Sequence, residues 1–198
     1  MVVRYNGVVM GTDAEKWDSR YGDATQAPPA RVLTENAHLL PAGGAALDLA
    51  CGLGANALWL AQRGLETDAW DSSSVAIDRV RARAEALGVC VHAEVRDVVK
   101  CPPPPHCFDV IVVVRFLDRS LTPHLIEALR PGGVLYYQTF TRTYVSDTGP
   151  SNPEYRLRDN ELVSMFSALQ LLVYREEGRV GLLDCGFRDQ AMLVAARL

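Results

Sequence analysis

From Ala45 onward, short runs of consecutive apolar residues alternate with longer stretches in which apolar positions recur every three or four residues. The first pattern fits buried strands and the second fits helices with one covered face. "AALDLA" (45–50) runs into a glycine turn, and "ALWLAQRG" (57–64) reads as a helix stopped by Gly64. "LETDAW" (65–70) is a second strand, "SSVAIDRVRARAEALG" (73–88) a helix with serines at its start and glycine at its end, and "VCVHAEV" (89–95) a third strand. "FDVIVVV" (108–114) is almost wholly apolar and β-branched, as a central strand covered on both faces must be. A helix near 123–129, a turn at "RPGG" (130–133) and a strand at "VLYYQTF" (134–140) follow.

Beyond that point the pattern changes. "TRTYVSDTGPSNPEYRLR" (141–158) is polar, carries two prolines and shows no period, which predicts a long surface loop of the kind that often serves as a lid. A helix over 159–168 and two strands, "LQLLVYREE" and "QAMLVAARL", close the chain; their spacing suits an antiparallel pair added to a parallel sheet. Ahead of the sheet, "DAEKWDSRYG" and "PPARVLTENAHLL" read as amphipathic helices capping one edge of a cleft. The expected organisation is one domain over 1–198: a helical cap (1–44), a cofactor-binding core (45–140), a lid loop (141–158) and a C-terminal helix and hairpin (159–198).

Composition narrows the function more than the fold. The formal net charge of -4 disfavours general nucleic-acid binding, which depends on a basic surface, and points to a small-molecule partner. Neither a signal peptide nor a membrane-length apolar run is present, and the five cysteines lack paired spacing, so the expectation is a cytoplasmic chain with reduced thiols and no membrane partner. The stretch "CPPPPHC" (101–107) reads as a stiff surface connector; with the fourth ligand missing, no metal site is expected.

The candidate chemistry sits in "LDLACGLGAN" (47–56). Gly52, Gly54 and Ala57 satisfy the loose dinucleotide pattern, with Asp71 near the distance at which an acid meets a ribose. Glycine lets the chain turn sharply and lets a ligand touch the backbone. Asp48, four residues ahead of Gly52, would repel a pyrophosphate but suits a ligand carrying an ammonium and a sulfonium; it could equally be a hydrogen-bonding clamp for the loop. No G-x-S-x-G or H-E-x-x-H occurs, and His38, His92, His106 and His124 are scattered.

Taken in order, "LDLACGLGAN", "TDAWDSS", "EVRDV", "FDVIVVVRFLDR" and "LRPGGVLYYQTF" resemble a class I S-adenosylmethionine-dependent methyltransferase, over roughly Ala45 to Phe140. "KWDSRY", "DAWD" and the tail "YREE…MLVAARL" are similar to the tellurite-resistance and thiopurine-type branch. The resemblance implies a three-layer α/β/α Rossmann-like methyltransferase fold, with a mostly parallel seven-stranded sheet and an antiparallel C-terminal strand. It also implies S-adenosyl-L-methionine as cofactor and S-adenosyl-L-homocysteine as product. Ala50, Gly52 and Gly54 would follow the methionine portion, with Asp48 at or behind its ammonium. Asp71, beside Ser72, would accept from both ribose hydroxyls, while Asp97 and the Val98 N–H would meet the adenine. Trp17 and Tyr21, four apart on one helical face, would cover the cofactor or substrate, or else staple their helix to the core.

Methyl transfer from a sulfonium is an in-line displacement that needs positioning and water exclusion, not a protein nucleophile. Arg115, just beyond the fourth strand, is the leading candidate for holding an anionic acceptor and also for bordering the cofactor. Its bland alternative is an ion pair with Asp118 or Asp147. Arg119, Gln138, Arg142 and Tyr155 are further candidates for the same pocket. The absence of a motif-placed general base favours an acceptor already nucleophilic near neutrality, such as a thiolate or chalcogen anion. The hairpin stretch "EEGRVGLLDCGFRDQ" departs from the tellurite-type pattern in having Arg179 and Arg188 but no His. A cofactor-binding module without turnover and a nicotinamide-dependent oxidoreductase are the competing readings.

Overall fold

The computed structural model describes residues 13–22 and 24–198. Seven strands form one sheet in the order β3-β2-β1-β4-β5-β7-β6. They are β1 (Ala45–Leu49), β2 (Glu66–Asp71), β3 (Val91–Val95), β4 (Phe108–Val114), β5 (Leu129–Phe140), β6 (Gln170–Glu176) and β7 (Gln190–Ala196). All neighbouring pairs are parallel except those made by β7, which runs antiparallel to both β5 and β6. The helices are α1 (Asp13–Gly22), α2 (Arg31–Thr34), α3 (Ala55–Ala61), α4 (Ser74–Leu87), α5 (Thr122–Ala128) and α6 (Glu161–Met165). This is the expected mostly parallel α/β/α architecture, closed by an antiparallel C-terminal strand.

Side-chain alternation along the strands sorts the core into two layers, because successive residues point to opposite faces. Leu47, Leu49, Ile111, Val113, Leu135, Tyr137, Leu193 and Ala195 pack on one side with Leu125 of α5 and Leu162 of α6. Ala46, Val110, Val112, Val134, Tyr136, Met192 and Val194 pack on the other with Val32 and Leu33 of α2 and Leu60 of α3. Ala57 of α3 joins Ile77 and Val80 of α4 there, over Ala69. Burial of such side chains stabilises by roughly 1.5–3 kcal/mol each, which is why the central strands read as unbroken apolar runs.

Helix α4 shows the local chemistry its sequence announces. Ser73 caps it by accepting from the Ala76 N–H at 3.1 Å. Gly88 ends it in the left-handed conformation at φ 65°, where a Cβ would be strained.

Three elements differ from the sequence expectation. "RPGG" is an irregularity inside β5 and not a turn before it: pairing with β4 passes from Phe108↔Leu129 to Val110↔Val134, so the extra residues bulge out. The stretch 159–168 forms only the short helix Glu161–Met165, and "PPARVLTENAHLL" yields α2 followed by a 3₁₀ turn at Ala37–Leu39.

The loop 141–158 is held at both ends. The buried Arg156 donates to the carbonyls of Thr141 (3.0 Å), Thr148 (2.5 Å) and Pro150 (2.7 Å). Asp189 accepts from the N–H groups of Val145 and Ser146 and from the Ser146 hydroxyl. Among the described residues no helix is long and apolar enough to cross a membrane.

Candidate functional site

Strand order places the topological switch between β1 and β4, where connections leave in opposite directions and open a crevice at the strands' carboxyl ends. The register fixes what meets there. Leu49 lies opposite Trp70 on one side and Val113 on the other, so Ala50, Asp71 and Val114 share the next level, and Asp71 pairs in turn with Val95.

Both strands at the switch end in left-handed backbone at a residue that is not glycine: Ala50 at φ 55° and Arg115 at φ 56°. Such a conformation costs roughly 1–2 kcal/mol for an L-residue and persists only where the surroundings enforce it. After Ala50 the turn continues with Gly52 at φ 52° and Gly54 at φ 72°. A Cβ on Gly54 would stand 2.6 Å from Val80 Cγ2, so this glycine is required for α3 to pack on α4. A Cβ on Gly52 would stand 3.0 Å from the Tyr21 hydroxyl, so this glycine leaves backbone open towards α1.

Two buried carboxylates hold the turn. Asp48 accepts from the Ala57 N–H at 3.0 Å and from Asn56 Nδ2 at 3.4 Å, while Asn56 Oδ1 accepts from the Ala30 N–H at 2.9 Å. Burial pushes the Asp48 carboxyl up to about 7. These contacts are those of the clamp reading of Asp48, whose side chain is buried behind the turn. Asp71 accepts from the Gly52 N–H at 2.8 Å and from the Ser73 N–H at 2.9 Å, and burial raises its pKa. Burial likewise pushes the Cys51 thiol well up.

Asp97 lies further along the same edge, partly exposed. It accepts from the Val99 and Lys100 N–H groups, both at 3.2 Å, and pairs with Lys100 Nζ at 2.5 Å, which lowers its pKa. Ser72 follows Asp71 and is half-buried, and Val98 is buried beside Asp97. Trp17 and Tyr21 stack at 5.6 Å between ring centroids, and burial and then the Asp71 charge raise the Tyr21 pKa.

The acceptor candidates separate into engaged and free groups. Arg119 grips Glu161 with two bonds, at 2.7 and 3.0 Å, and the carbonyls of Glu154 and Arg156. Arg142 is tied to Glu154 and the Pro153 carbonyl. Gln138 is buried, accepting from the Val32 N–H and donating to Gln190. Tyr155 is exposed on the loop. Arg115 is anchored through its backbone, its N–H donating to the Gln138 carbonyl at 2.8 Å, while its side chain is exposed and, among the described residues, pairs with neither Asp118 nor Asp147. Asp118 instead caps the 3₁₀ turn at Arg119–Leu121 through Ser120.

Sequence reasoning missed three supporting residues. Asn56 stands just inside a helix start, where a buried amide could have been suspected. Gln26, donating to the Leu53 carbonyl at 3.1 Å, and Asp18, bonded to Ser73 and Val75, lie 27 and 55–57 positions from their partners, so no local signal marked them.

Residues 46–133 match the family model of a methyltransferase domain. No curated protein matches the chain in sequence. A structure from work on the conversion of a disulfide bond into a thioacetal group during echinomycin biosynthesis has a TM-score of 0.70 at 22% identity, covering 93% of this chain and 92% of that one. TehB from Haemophilus influenzae gives 0.69 at 21%, covering 93% of this chain and 67% of that one. A SAM-dependent methyltransferase from Methanosarcina mazei gives 0.66 at 18%, covering 87% and 99%. At these identities the structures establish the fold.

Proposed function

We propose that the chain moves a methyl group from S-adenosylmethionine to a small anionic acceptor, a thiolate or reduced chalcogen anion, held where β1 and β4 end. The observation that carries this reading is the pair Ala50 and Arg115, both left-handed at adjacent strand ends across the switch. Strain of this kind clusters at ligand sites because the fold must enforce it.

The residues present fit the cofactor. The turn carries two buried carboxylates, Asp48 and Asp71, and its own sequence from Ala50 to Ala57 holds no Lys or Arg. That donor set suits an ammonium, a sulfonium and a ribose diol, and it repels a diphosphate. When bound, S-adenosylmethionine supplies an electrophilic methyl group on sulfur.

The chain's own residues then have positional work. Asp71, at the end of β2 and tied to the turn through the Gly52 N–H, is the carboxylate we assign to a diol. Gly52 lets a ligand approach the backbone, and Asp97 with the Val98 N–H are the groups we assign to a purine edge. Arg115, whose guanidinium is unpaired among the described residues, is the group we assign to the anion.

A sulfur or chalcogen acceptor is supported by the histidines. All four are exposed, and His92 and His106 lie at or before the amino-terminal ends of β3 and β4, the wrong edge for proton removal in the crevice. An acceptor ionised near neutrality needs no such base. The thioacetal chemistry of the echinomycin work and the likeness to TehB also support it, as does the tellurite-resistance and thiopurine-type signature. The expected partner is thus a small molecule, with neither nucleic acid nor membrane involved.

The test is an acceptor panel of thiols, selenide, tellurite, halides and phenols, followed by S-adenosylhomocysteine release. Turnover on thiols or chalcogen anions that falls in Arg115→Ala supports the reading. Cofactor binding without turnover on any of them makes the chain a binding module instead.

A further inference from the structure

We infer that the groove where α3, α4 and the segment 24–29 meet is a second ligand site, apart from the crevice, and that it takes a small aromatic carboxylate. Two adjoining cavities of about 380 and 350 Å³ lie there, and Gln26 and Arg83 line both. Sites for small molecules run to about 300–1,000 Å³. Neither cavity is lined by Ala50, Gly52, Asp71 or Arg115, so the groove is separate from the site at the ends of β1 and β4.

Helical spacing builds two of its walls. Leu58, Trp59 and Gln62 share one face of α3 and its C-terminal cap, and Arg79, Arg83 and Leu87 share one face of α4. The third wall is the segment 24–29, which is tied down along its length. Arg79 donates to the Ala24 carbonyl at 2.7 Å, Gln26 to the Leu53 carbonyl at 3.1 Å, and the Ala30 N–H to Asn56 Oδ1 at 2.9 Å. Pro28 and Pro29 fix the backbone between these anchors and present ring carbons without an N–H. The walls therefore stand in place before any ligand arrives.

The lining is apolar on one side and cationic on the other. The Trp59 ring is held by the Arg63 guanidinium at 3.3 Å from its centroid, and Leu87 is 50% exposed. Arg79 and Arg83 stand one turn apart, an arrangement that repels and weakens a helix. Arg81 pairs with Asp78, and Arg79 is engaged with the segment 24–29, whereas Arg83 has no hydrogen bond or ion pair among the described residues. No Asp or Glu lines either cavity, although the chain has 24 acidic residues and a net charge of -4. Folding alone gives no reason to collect an unpaired guanidinium, an indole, two prolines and an exposed leucine in one acid-free groove. A flat apolar body bearing one carboxylate uses all of them: the carboxylate takes the Arg83 fork, and the ring covers the apolar wall.

The experiment is calorimetric titration of the full chain with 2-naphthoate, with and without saturating S-adenosylhomocysteine. The uncharged 2-naphthylmethanol and the ringless acetate are titrated in parallel. We expect one naphthoate site with a Kd of about 1 mM or tighter, the same in both conditions, and binding at least fivefold weaker for the alcohol and for acetate. Arg83→Ala removes the cation and Gln62→Glu places an acid in the groove; each should weaken naphthoate at least fivefold, with the unfolding midpoint showing that both variants are folded. Arg115→Ala should leave naphthoate binding unchanged. No binding by the wild type at about 5 mM naphthoate overturns the site. So does equal affinity in Arg83→Ala, or naphthoate binding that S-adenosylhomocysteine or Arg115→Ala abolishes. A wild type that binds naphthoate but not S-adenosylhomocysteine overturns the proposed function and leaves this site standing.

Discussion

The Gly52 N–H donates to Asp71 Oδ2 at 2.8 Å, so the first glycine of the turn after β1 and the last residue of β2 are held as one unit. A ligand that lies on the turn therefore meets Asp71 without any rearrangement of either strand. This is preorganisation of a buried polar group.

Replacing that carboxylate should be felt first in binding. Asp71→Ala removes the partner of two backbone donors and the proposed diol acceptor, so S-adenosylhomocysteine affinity should drop more than tenfold, about 1.4 kcal/mol. Asp71→Asn keeps an acceptor oxygen for the turn and should lose less stability than Ala while still losing affinity. Calorimetry on both variants reads the first effect, and thermal unfolding reads the second. Unchanged affinity in Asp71→Ala would remove Asp71 from the site.

Asp48 makes a pH prediction. Its folded pKa, about 7, lies above the ordinary carboxyl value of 3.8 because burial disfavours the charge. A raised pKa contributes stability that is fully present below the ordinary value and is lost as pH rises through about 7. Relative to Asp48→Asn, the wild type should thus lose stability between pH 4 and 7, on the order of a few kcal/mol in total. Urea unfolding of both proteins at pH 5 and pH 8 checks it: the gap between them must move in favour of the variant at the higher pH. Cofactor affinity should move the other way, since the neutral side chain no longer attracts an ammonium.

Why some of this was legible from residues alone, and some not, has a physical explanation. β4 and α4 could be read because burial on both faces and end-capping by Ser73 and Gly88 are written in neighbouring residues. Asp48 and the two glycines could be found because the turn that needs them is local, and Asp71 because it ends the next strand at the spacing the glycine pattern sets. The "RPGG" bulge could not, because its conformation is set by pairing with Phe108 across the sheet. The roles of Arg119 and Arg142 were hidden for the same reason: whether an arginine faces a cleft or grips a loop depends on acids such as Glu161 and Glu154 placed by the tertiary fold.

Arg156 should govern the order of the 141–158 loop. Arg156→Ala deprives three carbonyls of their donor, and at about 1 kcal/mol or more per lost bond the loop should open on its own. Limited trypsin digestion should then cut at Arg142 or Arg158 at least several-fold faster than in the wild type, while the unfolding midpoint of the sheet falls by only a few degrees. Equal cleavage rates would mean that Asp189 alone suffices to pin the loop.

Gly54 is sensitive for a steric reason separate from ligand binding. Its φ of 72° and the 2.6 Å approach of a built Cβ to Val80 Cγ2 set backbone strain against a stiff β-branched neighbour. Gly54→Ala should destabilise by roughly 2–3 kcal/mol. In the double variant with Val80→Ala the clash part should be recovered, leaving the backbone part of about 1 kcal/mol. Chemical denaturation of the cycle measures both.

Arg115 opposes stability to function at a single position. Its backbone is left-handed at φ 56°, its N–H is tied to Gln138, and its guanidinium is unpaired among the described residues. Glycine adopts that conformation without the Cβ penalty, so Arg115→Gly should gain about 1 kcal/mol, or 2–4 °C in Tm. Arg115→Ala keeps the strain and should leave Tm nearly unchanged. Both variants should lose at least tenfold in kcat/KM on an anionic acceptor, while S-adenosylhomocysteine affinity changes little. A site without a role in the crevice would show the same stability ordering, and neither variant would lose turnover. If Arg115→Gly is stabilised and inactive together, the strain at the end of β4 is retained because the side chain it displays is needed in the crevice.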